Sequence, residues 1–138
     1  MPELLMAIVL ILPLSAGVML TIVNCMGYAR TAANYRVALA AAQQRMTDVE
    51  NSPFAQILAN FHRVPFQANG IDGRGLTYVI TLSADHLLVV TEFSWKDASG
   101  RVYGEDLNLN GVRDLGEDVN DNGILDSIVE FTTSRYNY

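Results

Sequence analysis

The sequence predicts an α+β fold: a long N-terminal α-helix, hydrophobic in one half and amphipathic in the other, packed on a small antiparallel β-sheet head. Three observations predict it. Leu4–Val23 is a run of twenty residues without a charge, and a helix of that length crosses a bilayer core of roughly 30 Å. Asn24–Glu50 holds no proline and one glycine, Gly27, and is rich in Ala, Gln, Arg, Leu and Met, which favour helix. After residue 51, β-branched and aromatic runs alternate with Asn-Gly and Asp-Gly turn signals.

The first element is therefore one helix to about residue 50, roughly 70 Å long at 1.5 Å per residue. Pro13 removes one of its backbone hydrogen bonds and kinks it, and Gly17 weakens the same region. Neighbouring helices in a membrane or a filament core can cover the freed carbonyls; a transmembrane helix with an ordinary proline kink is the plainer alternative. Cys25 is the only cysteine, so no intrachain disulfide forms, and it reads as a small buried hydrophobe. From Ala29 the helix turns amphipathic. Val37, Ala40, Ala41 and Gln44 form one stripe, with Arg30, Arg36 and Arg45 elsewhere.

Ser52-Pro53 punctuates the chain, with serine as N-cap and proline at the first helical position of Pro53–His62. Phe54, Ile57, Leu58 and Phe61 then share a face. Residues 64–75 read as a loop. Leu76–Leu82, His86–Trp95, Arg101–Tyr103 and Ser127–Arg135 read as strands. They predict an antiparallel meander of three or four strands, laid by one face on the long helix. The organisation is a hydrophobic assembly helix over 1–51 and a β-rich head over 52–138.

The net charge of −6 has a local origin. Residues 105–126 hold seven acidic side chains and one basic, Arg113; the rest of the chain holds eight of each. This cluster calls for a cation partner and argues against a nucleic-acid surface. His62 and His86 lie beside apolar residues and read as structural. No nucleophile, base and orienter can be assembled from the spacing, and there is no glycine-rich phosphate loop or Cys/His zinc pattern. The chain does not read as an enzyme.

Glu3-Leu4-Leu5 at the head of the apolar run, Pro13 and Gly17 within it, and a small β-rich head resemble the type IV pilin and pseudopilin superfamily. Leu12-Pro13-Leu14, Gly17, Tyr28, Arg30 and the alanine-rich stretch equally resemble its TadE-like minor pilins. The likeness covers residues 1–50. It implies insertion in the inner membrane before assembly, then a helical homopolymer at the cell surface with the helices in its centre. It also implies that Glu3 pairs with the α-amino group of a neighbouring subunit, since a carboxylate at the edge of an apolar bundle needs a partner. A helix N-terminus stabilising an anion is the simpler role for Glu3. A basic leader removed ahead of Met1 would place the head outside. A single-pass membrane anchor for an outer domain is the alternative function.

The acidic loop carries the chemistry. Asp106, Asn108, Asn110, Gly111, Val112, Asp114 and Glu117 fall at positions one, three, five, six, seven, nine and twelve of an EF-hand loop. Alternate residues in a tight loop can aim oxygens at one hard cation, with glycine making the sharp turn and Val112 offering its carbonyl. Leu107 and Leu109 are expected to turn away into the core. Asp118, Asn120, Asn122, Gly123, Ile124 (through its carbonyl) and Asp126 repeat the pattern up to position nine. Position twelve is Val129, so Glu117, Asp121, Glu130 or water must complete the second shell. The flanks read as strands, so the loops resemble those of dockerins and extracellular repeat proteins. One or two Ca2+ ions are expected; a solvated acidic turn without metal is the alternative.

Overall fold

The computed structural model describes residues 2–137, the side chains of residues 2–5, Ala7, Ile8 and Leu10 excepted. The pairing expected of Glu3 and the role of Met1 as terminus lie outside the described residues. The chain is α+β, with two helices and one four-stranded antiparallel sheet among the described residues. α1 (Pro2–Glu50) runs through two compact units, Met1–Ala33 and Asn34–Tyr138.

The first unit is the apolar helix alone. Every residue from Ile11 to Arg30 is exposed, including Leu14 at 69% and Leu20 at 67%. Cys25, expected to be buried, is exposed as well, because no other element of this unit covers it. The hydroxyls of Ser15, Thr21 and Thr31 donate to the carbonyls of Leu12, Gly17 and Gly27. In that way three polar side chains are satisfied within an apolar helix.

The second unit holds Asn34–Glu50 of α1, α2 (Phe54–Phe61) and strands β1 (Asp72–Ser83), β2 (His86–Lys96), β3 (Val102–Tyr103) and β4 (Glu130–Tyr136). β2 is central. It pairs with β1 from Lys96 to His86. Its other edge is shared: β4 pairs with His86–Glu92, and β3 with Trp95–Lys96. β1, β2 and β3 thus form the expected meander with three strands, and β4 departs from it, returning to β2 beyond the acidic loop to lie end to end with β3.

Period-two alternation separates two sheet faces. On one, Val79, Leu87 and Val89 pack with Val49, Ile57 and Phe61, and Phe93 and Trp95 with Ala38, Ala42 and Val129. The buried helix stripe is Ala38, Ala42, Met46 and Val49, with Ala40 and Gln44 exposed. The expected stripe was thus partly out of phase: Val37 and Ala41 are half-buried, and Ala41 packs against the Phe93 and Trp95 cluster. A run such as ALAAA carries no hydrophobic contrast by which to set the angle. Small side chains on this stripe let the helix approach Trp95 and Phe93. Arg45 also folds inward, 4.5 Å from the Phe61 ring centroid, donating to the Val64 carbonyl at 3.2 Å.

Ser52 does not cap α2. Its hydroxyl donates to the Asp48 carbonyl at 2.7 Å and closes α1, and the residue at the α2 N-cap is Pro53. Leu58, expected on the buried face of α2, is 48% exposed. On the opposite face of the sheet, Leu76, Tyr78 and Val90 pack with Leu125. That residue comes from the acidic loop, which therefore roofs this face.

Candidate metal centre

The loop's order comes from side chains bonding to backbone. Asp106 accepts from Asn110 N at 3.1 Å and from Gly111 N at 2.9 Å. The Asn108 Oδ1 accepts from Asn110 N, and the Asn110 Oδ1 from Val112 N. Such Asx turns coil the backbone around its own side chains. Asn108 Nδ2 and Asn110 Nδ2 both donate to Asp114 Oδ2, at 2.7 and 2.8 Å. Glu117 closes the circle: its Oε1 accepts from Leu107 N at 3.1 Å and its Oε2 from Asp114 N at 3.1 Å.

The second loop repeats this bond for bond. Asp118 accepts from Asn122 N at 3.0 Å and Gly123 N at 2.8 Å. Asn122 N and Ile124 N donate to the Oδ1 atoms of Asn120 and Asn122. Asn120 Nδ2 and Asn122 Nδ2 converge on Asp126 Oδ2 at 2.6 and 3.0 Å. Leu109 and Asp121, at position four of each loop, both have left-handed backbone, φ 57° and 56°. Gly111 and Gly123, at position six, have φ 73° and 86°, which glycine adopts without strain. A Cβ on Gly111 would also stand 2.9 Å from the Pro65 Cβ.

All the sequence-derived metal-ligand candidates thus lie in two matching coils, with Val112 and Ile124 following the asparagines of position five. No family model matches the chain, and no curated protein or solved structure is significantly similar to it. The fit to a cation rests first on the donor chemistry. Each coil gathers carboxylate and amide oxygens and no nitrogen or sulfur ligand, a set suited to a hard divalent ion. Among the described residues, no three His, Cys, Asp or Glu side chains form one metal-holding group; each coil mixes carboxylates with asparagine amides. The two amide N–H groups on Asp114 Oδ2, and the two on Asp126 Oδ2, satisfy an oxygen that a cation could hold in their place.

Glu105 was missed by the sequence reading. Its Oε1 accepts from Val119 N at 3.2 Å and its Oε2 from Asp126 N at 3.0 Å. These are positions two and nine of the second coil, the same two that Glu117 bridges in the first. Glu105 N also donates to the Asp126 carbonyl at 2.8 Å, as Glu117 N does to Asp114 at 3.3 Å. The signal was present: Gly-Glu-Asp-x-Asn-x-Asn-Gly occurs at 104–111 and again at 116–123, so the repeat begins two residues before the first aspartate.

Leu107 does not enter the core. It is 59% exposed, and Leu109 is half-buried. Leu125 anchors the loop instead, wholly buried, its N–H donating to Tyr78 Oη at 3.0 Å. Burial raises the Tyr78 phenol to about 12, so it stays protonated. Arg113 pairs with Asp118 at 3.0 Å. Burial lifts the Asp118 carboxyl, but the N–H of Gly123 and the guanidinium of Arg113 outweigh it and hold the carboxyl low. Asp106 is pushed up by its burial, with Glu117 adding repulsion.

Glu92 lies beneath the loop. It is on the Leu76 and Val90 face of β2 and fully buried. Its Oε2 accepts from Ser94 Oγ at 3.3 Å, and its Oε1 has no partner. Burial raises it to about 9, with Asp106, Asp126 and Glu130 pushing the same way. His62 Nδ1 accepts from Val79 N at 3.1 Å, and His86 stacks on Tyr136.

Proposed function

We propose that the chain is a structural subunit of an extracellular, type IV pilus-like filament. It sits in a membrane before assembly, polymerises through α1 as a helical homopolymer, and carries calcium in the head. One observation supports this reading above the others. The apolar stretch from Ile11 onward stands fully exposed along the single chain, far more apolar surface than a soluble monomer normally leaves uncovered. Copies of the same helix can cover it, and Pro13 and Gly17 would sit where neighbouring helices satisfy the loosened backbone. A cation in each coil would offset the local acidity outside the cell, where calcium is plentiful. The protein is then a building block and not an enzyme.

A single-pass anchor for an outer domain is the second reading, favoured by one fact: α1 is long and apolar enough to cross a membrane. Lipid would then cover the same surface. Electron microscopy of purified protein separates the two. Filaments of helical symmetry are expected; isolated, detergent-wrapped single chains under all assembly conditions would overturn the filament.

A further inference from the structure

We infer that the two coils form one reciprocal cation-binding pair, in which Glu105 supplies the closing carboxylate of the second site as Glu117 does of the first. The inference rests on the reading that the head carries calcium, and adds which residue completes it and how the sites are joined. The sequence offers four other ways to complete the second shell. Glu117 is engaged with Leu107, Asn108 and Asp114 in its own coil. Asp121 is exposed at the left-handed position four. Glu130 is an exposed residue of β4 beside Thr132. Water needs no residue but leaves the bridging Glu105 unexplained. Only Glu105 reproduces all three bonds by which Glu117 spans positions two and nine.

The connectivity has a consequence. Glu105 is bonded in sequence to Asp106, the first residue of the first coil, and Glu117 to Asp118, the first of the second. Each closing carboxylate therefore sits one peptide bond from the opening ligand of the other site. A cation that draws in Glu105 also fixes the backbone of Asp106, and the reverse holds at Glu117 and Asp118. Ordering one site lowers the entropy left to lose at the other, which makes binding positively cooperative. A separate observation points to a cation at this junction. Glu92 is fully buried beneath the loop, with one carboxylate oxygen unpartnered among the described residues, and the charges of Asp106, Asp126 and Glu130 all act on it. Among the described residues, no basic side chain forms an ion pair with Glu92, Asp106 or Asp126.

Calcium titration of the full chain in detergent by calorimetry tests the pair. The wild type is expected to take up two Ca2+ per chain cooperatively. Glu105→Gln keeps the side chain's size and one acceptor oxygen, and is expected to weaken the second ion at least about tenfold and to abolish cooperativity. Glu105→Asp, which keeps the charge but shortens the arm, should weaken it too. Two ions bound by Glu105→Gln with wild-type affinity would overturn the pair and leave calcium binding standing. No calcium uptake by the wild type would instead overturn the calcium reading itself. If the variants fail to fold, wild-type crystals soaked in terbium give the answer by anomalous scattering. A Glu105 carboxylate at about 2.3–2.6 Å from the second ion, as for calcium, supports the pair, and a shell closed without Glu105 overturns it.

Discussion

Glu92 shows how a single residue can carry a charge problem. It faces Leu76 on β1 and Glu130 on β4 in register, with Ser94 as its one hydrogen-bond donor. Its folded value, about 9, lies above the ordinary 4.5, so the folded chain retains a proton that the unfolded chain gives up. Stability therefore falls as pH rises from about 4.5 to about 9, by up to about 1.4 kcal/mol per pH unit. Glu92→Gln mimics the neutral acid. In EDTA it should match the wild type near pH 5 and melt at higher temperature at pH 8, and a pH series of thermal melts checks this. The sequence did not reveal Glu92, because alternation places it in a strand without saying which face is roofed. It did reveal the asparagines and aspartates of both coils, because their spacing alone fixes the turn chemistry.

Elements were legible where composition has contrast. The β-branched runs at Leu76–Leu82 and His86–Trp95 fall inside β1 and β2, but β1 begins earlier, at Asp72. Gly73 and Gly75 hid that start. A side chain at Gly75 would meet the Phe66 ring, whose backbone bridges to it, so the glycines mark close approach and not a loop. The pairing of β4 beside β3 was illegible, since a long intervening loop leaves the partner of a strand undetermined. The phase of the α1 stripe gives a direct test. Ala42 is buried among Phe93 and Trp95, whereas Ala40 is exposed. Ala42→Leu should destabilise the head by about 1–3 kcal/mol through overpacking, and Ala40→Leu should leave the urea midpoint nearly unchanged. A larger effect of Ala40→Leu than of Ala42→Leu would return the stripe to the phase expected from sequence.

At the scale of the molecule, the proposed cation binding and the proposed assembly would belong to different units and should fail separately. With calcium a hundredfold above its dissociation constant, each site contributes about 2.7 kcal/mol. Removal by EDTA should then lower the melting temperature of the head by on the order of 10 °C per ion; an unchanged melt would leave the coils as solvated acidic turns. The apolar unit offers the converse experiment. Val18 is 55% exposed in the middle of the uncharged run, and Asp at the centre of a membrane-embedded helix costs about 2.5–3.5 kcal/mol. In a filament core that cost recurs in every subunit, because each copy of Val18→Asp meets others of the same charge. Filaments should disappear from electron micrographs of Val18→Asp. The EDTA-sensitive melt should persist, since the buried residues of the head all lie between Ala38 and Val129. Filaments that survive Val18→Asp would mean that the apolar surface is covered by something other than its own copies.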